Sequence, residues 1–320
     1  MLLTSEIFTA SAGAIHASGT HLFWAAEDHE SLKGSMAEFG QSAPVLVMDT
    51  DNGLELIAGA SRLAILHELG RPVLARMVED ASRVDLGLLY LADNVQRPLD
   101  DAMRLKGLKY FAPLMDAPAL KADILPRLGI KPQSKDARLL LTWLTLPQAW
   151  QGLLELGNVP LAAAMVLERM TDTDRQAALP LFTGFSWSRS NAVNVLTWLF
   201  ETGKMTDAPV AEVMDQTGMT AMLSQGLSPK DAIGRLCTAA RLARFPELSK
   251  LQARFLEAST EITAGTTWRV TQPDNFETDG AELTVKVRDA ARLKQAVKEL
   301  NGLAESPGWE KIWDLGGPDE

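Results

Sequence analysis

The most reactive-looking set of residues begins at Gly59-Ala60-Ser61-Arg62, which follows the apolar run Leu54 to Ala58 and opens a segment of helical period closed by Gly70. A glycine between strand and helix lets backbone N–H groups at the helix N-terminus face an anion, where the macrodipole also favours negative charge. Gly59, Ser61 and Arg62 suit that arrangement. A second element, Asp93-Asn94-Val95-Gln96-Arg97, would add an amide and a guanidinium fork through Asn94 and Arg97. Such a set suits a triphosphate and its hydrated Mg²⁺. The plainer alternative is that Gly59 starts a helix and Arg62 pairs with a surface acid.

A second group is cationic. Lys121, Arg127, Lys131, Lys135 and Arg138 lie within eighteen residues that hold only Asp123 and Asp136 as acids. The net charge of −10 argues against a nucleic-acid partner, which needs clustered Lys and Arg. The average conceals the distribution: residues 1–97 carry −7, residues 98–200 carry +2 and residues 201–320 carry −5. Lys121 to Leu128, a turn at Gly129, and Ser134 to Leu146 read as an apolar helix, a turn and a second helix, with Ser134 as the cap. In a helix-turn-helix, Lys121, Lys131, Lys135 and Arg138 would contact DNA phosphates or the major groove. A solvated helix surface gives the same charge pattern. Pro126 falls inside the first helix and predicts a kink.

Other candidates yield less. The histidines His16, His21, His29 and His67 have no metal-ligand spacing, and the Asp49-Thr50-Asp51-Asn52-Gly53 run reads as a hairpin turn, so no metal site is expected. The single Cys237 excludes an internal disulfide and lies on a helical face as an inert, buried thiol in a reducing compartment. Ser186-Trp187-Ser188-Arg189 could touch a phosphate, and a Ser N-cap before a helix at Asn191 to Phe200 explains it equally well. No apolar run reaches the ~20 residues of a membrane span, and MLLTSEIFTA lacks the features of a signal peptide, so a cytoplasmic protein without a membrane partner is expected.

The secondary structure that would carry these groups follows from periodicity. Residues 1–25 show no clear period. Next come a helix from Glu27 to Phe39, a strand Pro44 to Met48, a strand Leu54 to Ala58, a helix Arg62 to Leu69 and a strand Val73 to Val78. Helical period dominates from Val84 to about 245 and includes a helix Pro229 to Ala243 capped by Ser228. The last part predicts a helix Leu248 to Ile262, strands Thr267 to Val270 and Leu283 to Val287, a helix Asp289 to Leu303, and a tail docked through Trp309 and Trp313. The expected fold class is α+β, predominantly helical: an α/β domain at 1–97, a helical domain at 98–245 and a C-terminal α+β module at 246–320 that mediates association, as a homodimer or with another protein.

Four boxes in order carry a resemblance. The helix ending at Gly40 before Pro44-Val45, the run Leu56-Ile57-Ala58-Gly59-Ala60-Ser61-Arg62, the run Asp93 to Arg97, and Leu146-Pro147 followed by Gly157-Asn158-Val159 resemble segments of ParB-type partition proteins, whose N-terminal domain shares a superfamily with sulfiredoxin. The resemblance covers about residues 28–200. It implies a ParB/sulfiredoxin-like α/β domain, a helix-turn-helix domain, DNA binding in chromosome or plasmid partition or in transcriptional regulation, and a CTP pocket with Mg²⁺ built from Gly59, Ser61, Arg62, Asn94, Gln96 and Arg97. By the resemblance weak CTPase activity is possible, but no general base stands beside the Gly59 turn, so an enzyme is not the expected reading. The chain departs from the pattern at Ala60 and Ser61, where the family has Glu and Arg, and in Ala162 to Leu167, which lacks the family's His and Arg. Ala60 also excludes sulfiredoxin chemistry, which needs a cysteine there. The alternative is a ParB-like interaction scaffold that binds neither DNA nor nucleotide.

Overall fold

The first residues, which carry no period, form β1 (Leu2–Ala10) and the short β2 (Ile15–His16) in the computed structural model, which describes residues 1–24, 30–273, 276 and 280–315. Both are edge strands. A register shift between Leu3 and Ile7 breaks the alternation of β1, which is why no two-residue pattern marks it. After α1 (Glu30–Phe39) come β3 (Val45–Thr50), β4 (Gly53–Ala58), α2 (Ala60–Glu68) and β5 (Val73–Glu79). The expected first turn of α1, together with His29, falls partly outside the described residues.

The sheet order is β1-β5-β3-β4-β2. β3 and β4 form the hairpin expected at Asp49 to Gly53, and β5 runs parallel to β3 with Val45 opposite Ala75. Because successive side chains point to opposite faces, Val45, Val47, Leu56 and Ala75 pack with Leu63, Leu66 and Met36, whereas Ile57 and Val78 pack with Leu86 on the other face. Leu86 belongs to α3 (Arg83–Asp93), which Ser82 and Asp85 begin with a capping box. Helices thus cover both faces. The hydrogen bonds from the Ser82 hydroxyl and N–H hold the Asp85 carboxyl below its usual range.

His21 closes the sheet from the β2 side. Its ring is 3% exposed, and Nε2 lies 2.8 Å from the carbonyl oxygen of Leu56, so the neutral ring carries its proton on Nε2. Burial pushes its pKa below the ordinary 6.5, opposed by the Leu56 bond and by Glu55. A depressed folded-state pKa means that the unfolded chain takes up the proton first. Stability present above pH 6.5 is therefore lost as pH falls through the window below it. Urea unfolding at pH 7.5 and pH 5 should show this loss, and His21→Gln should reduce it; an unchanged pH dependence in the variant would assign the loss to other groups.

Helices follow to the end of the first compact unit, Met1–Leu196. They are α4 (Asp101–Phe111), then α5 (Ala117–Ala119), a π-turn at Leu120–Ile124 and α6 (Leu125–Arg127), then α7 (Lys135–Thr145), α8 (Gln148–Glu155), α9 (Ala164–Leu167) and α10 (Asp172–Ala178). α11 (Arg189–Thr206) runs past the unit boundary. The kink expected at Pro126 takes the form of the π-turn just before it, where a missing N–H and a bulky ring disturb the regular ladder.

The second unit, Thr197–Glu320, holds α12 (Val210–Gln216), α13 (Met219–Leu223), α14 (Pro229–Arg244), α15 (Pro246–Thr263), β6 (Arg269–Thr271), β7 (Glu282–Thr284), α16 (Ala290–Ala304) and α17 (Gly308–Trp313). Phe255, Ile262, Val270, Leu303 and Ile312 form its C-terminal core. The tail docks as expected: Trp309 donates from Nε1 to the Leu303 carbonyl and stacks on Trp313. The strand expected over Leu283 to Val287 is shorter and starts at Glu282, since only residues 282–284 find partners in β6. Cys237 of α14 is half-buried, which pushes its thiol up to about 11. Among the described residues no helix is long and apolar enough to cross a membrane.

Candidate functional site

α2 begins at Ala60 rather than at Arg62 because Gly59 turns the chain at φ +101° directly after β4. A Cβ on Gly59 would stand 2.9 Å from Val45 Cγ1 and 3.3 Å from Arg62 Cζ, so the strand-to-helix turn needs glycine for both its dihedral and its space. Among the described residues no side chain caps α2. Its first-turn N–H groups are therefore open to a ligand or water.

Gly59, Ala60, Ser61 and Arg62 line a cavity of about 300 Å³ together with Asp93, Asn94 and Arg97. The two boxes, more than thirty residues apart in sequence, meet here because α3 crosses the sheet face and ends beside the start of α2. Among the described residues Tyr90, Leu32, Ser42 and Ala43 also line the cavity wall. Gln96 is exposed and does not line the cavity.

The polar groups are already engaged. Arg62 donates from Nη1 to the carbonyls of Pro44 at 2.8 Å and Ala43 at 3.3 Å, and from Nη2 to Asp93 Oδ2 at 2.6 Å. This one guanidinium thus ties the start of β3, the first turn of α2 and the end of α3. Asn94 donates from Nδ2 to the Tyr90 carbonyl at 2.9 Å, so one of its two amide protons is used within the end of α3. The Arg97 guanidinium lies over the Trp24 ring, 5.6 Å from its centroid.

Sequence reasoning missed the groups that hold this wall in place. The Tyr90 hydroxyl donates to the Trp24 carbonyl, Trp24 Nε1 donates to the Met103 carbonyl, and Phe23 packs edge-on against both rings. The adjacent aromatic pair Phe23-Trp24 is the signal that could have found them. Asp93 stands within the box, but nothing in one dimension makes it the partner of Arg62.

The candidate nucleic-acid residues are distributed along the helical region. Ser134 caps α7 by accepting from the Ala137 N–H at 3.1 Å. Lys131, Lys135 and Arg138 are exposed, Lys121 is half-buried in the π-turn, and among the described residues none of the four stands in an ion pair. Lys135 and Arg138 border a groove of about 370 Å³ with Thr142, Met165 and Glu168. Leu139, Leu140 and Trp143 are buried as core, whereas Leu141 is half-buried and lines that groove. Among the described residues no group of three or more His, Cys, Asp or Glu could hold a metal ion.

No family model and no curated protein matches the chain. Solved structures do. The C-terminally truncated chromosome-partitioning protein ParB from Caulobacter crescentus, complexed to the centromeric parS site, is 15% identical with a TM-score of 0.38, over 59% of this chain and 98% of that one. The same protein complexed with CTP-γ-S is 17% identical with a TM-score of 0.26, over 56% and 99%. A Pnob8-like ParB-N domain is 15% identical with a TM-score of 0.37, over 79% and 98%. The chain is thus similar, at low identity, to structures of the ParB group that its sequence boxes resemble.

Proposed function

We propose that the protein is a ParB-like DNA-binding protein whose α/β part holds a nucleotide, CTP with Mg²⁺, and which acts in partition or transcriptional regulation. The observation that carries this reading is the meeting of the Gly59–Arg62 turn with Asn94 and Arg97 around one cavity. Its volume of about 300 Å³ stands at the lower end of the range for small-molecule sites. The residues suit a phosphate chain: uncapped N–H groups of α2, the Ser61 hydroxyl and the Arg97 guanidinium are donors, and the Asn94 oxygen could accept from a hydrated Mg²⁺. Calorimetry with CTP and Mg²⁺ tests it. Heat is expected with the parent protein and none with Arg97→Ala; no heat with the parent would end the reading.

The DNA part rests on α7, whose Lys135 and Arg138 are exposed and, among the described residues, have no acid partner. Gel-shift titration at two salt concentrations should give an affinity that falls as salt rises. Lys135→Gln with Arg138→Gln should flatten the log–log slope by about one unit for each phosphate no longer neutralised. Salt-independent binding would remove the electrostatic basis. Exposed Leu293, Val297 and Leu300, spaced along α16, support the association expected of the C-terminal part.

The scaffold alternative is favoured by one observation. Arg62, the cation at the turn, is occupied by Asp93 and two carbonyls, as in a purely structural cross-link.

A further inference from the structure

We infer that Asp93 is a built-in competitor for the phosphate site: its carboxylate occupies the face of Arg62 that an anionic ligand needs, and the ligand must displace it to bind. This inference rests on the nucleotide reading of the cavity and names how that site is regulated.

The geometry separates the two ends of the Arg62 guanidinium. Nη1 is fixed to the backbone of Ala43 and Pro44, which holds the fork in place whatever happens to Nη2. Nη2 has the Asp93 carboxylate at 2.6 Å, and both residues line the cavity. A guanidinium presents its donors as a planar fork, and a carboxylate and a phosphate oxygen compete for the same edge of it. The side chains of Arg62 and Asp93 are 17% and 25% exposed, so the pair is neither locked in the core nor fully screened. Exchange of one anion for another is cheapest in this intermediate setting, because neither complete desolvation nor a lone buried charge arises on the way.

Charge points the same way. Among the described residues, those lining the cavity carry two cations, Arg62 and Arg97, and one anion, Asp93. With Asp93 on Arg62, the turn presents a neutral pair to an incoming phosphate. With Asp93 displaced, the uncapped N-terminus of α2 and Arg62 act on the same oxygen atoms. Asp93 is the last residue of α3 and Asn94 its C-cap, so displacement would loosen the end of that helix, where the Arg97 N–H closes a turn on the Asn94 carbonyl. The binding step is thereby coupled to the segment that leads from the α/β part into α4.

The test is a double-mutant cycle on the full chain, titrated by calorimetry with CTP and Mg²⁺ and separately with inorganic triphosphate. Asp93→Asn should tighten both by about 2- to 5-fold, the range set by a partly exposed ion pair. The gain should vanish in the Arg62→Gln background, because it acts through that guanidinium. A circular-dichroism melt of each variant identifies any that do not fold, and Asp93→Ser supplies a second way of removing the charge. Binding by the parent with no gain in either Asp93 variant overturns the inference and leaves the pocket standing. A gain that persists without Arg62 overturns it as well, because it shows a general field effect of one negative charge. Absence of binding in every variant overturns both the inference and the nucleotide reading beneath it.

Discussion

Trp143→Ala should destabilise the first unit by about 3–5 kcal/mol, the range for removing a large aromatic side chain from a close-packed interior. Trp143 is fully buried in α7, and its Nε1 donates to the Leu161 carbonyl at 2.9 Å. Truncation removes the ring, leaves a cavity and strands that carbonyl. The helix is fastened there: Ala137, Leu140 and Trp143 form its buried face, and Lys135 and Arg138 project on the exposed side. Loss of the tryptophan therefore loosens the element that presents the cations. Trp143→Phe keeps most of the volume but not the donor, and should cost about 1–3 kcal/mol, the penalty of a buried polar group without a partner. Urea unfolding followed by circular dichroism measures both. A cost below about 1 kcal/mol for the alanine variant would mean that α7 is not packed as described.

The contrast between α7 and the cavity shows what one dimension can carry. α7 is legible because every signal for it is local: Ser134 as cap, apolar residues at helical spacing, and Leu146-Pro147 as a stop. The β3–β4 hairpin is legible for the same reason, from its turn residues and short apolar runs. β1 is not, since an edge strand with a bulge has no face to alternate about. For the site, the glycine turn and the Asn94–Arg97 box can be found as chemistry, but their engagement cannot. The bond from Arg62 to Asp93 spans 31 positions, and that to the Pro44 carbonyl spans 18. Those partners are fixed by how α3 crosses the sheet and by how α2 packs beside the start of β3, which depend on the whole core. Gln96 illustrates the converse: its box places it beside Arg97, and the turn after α3 leaves it in solvent. The meeting of two distant boxes is thus information from packing, while their residue types are information from sequence.

Gly59→Ala should cost about 2–5 kcal/mol and abolish any binding in the cavity, and a second glycine makes the cause separable. Gly59 has φ +101° and Gly53 has φ +99°, so a side chain at either meets nearly the same backbone strain, about 1–2 kcal/mol. Their surroundings differ. A Cβ on Gly53 would find nothing nearer than the His16 ring at 3.8 Å, whereas on Gly59 it would be driven to 2.9 Å from Val45 Cγ1 and 3.2 Å from Val45 Cβ. Val45 is fully buried at the centre of the sheet and cannot yield, so overpacking adds about 1–3 kcal/mol at Gly59 alone. The same Cβ would press on Arg62 Cζ at 3.3 Å and disturb the guanidinium that ties three elements together. Urea unfolding of the two variants side by side should therefore give a larger loss at Gly59, and its excess over Gly53→Ala measures the clash with Val45. Equal losses would show that the turn can move away from the strand, and the close approach on which the cavity wall depends would not be rigid.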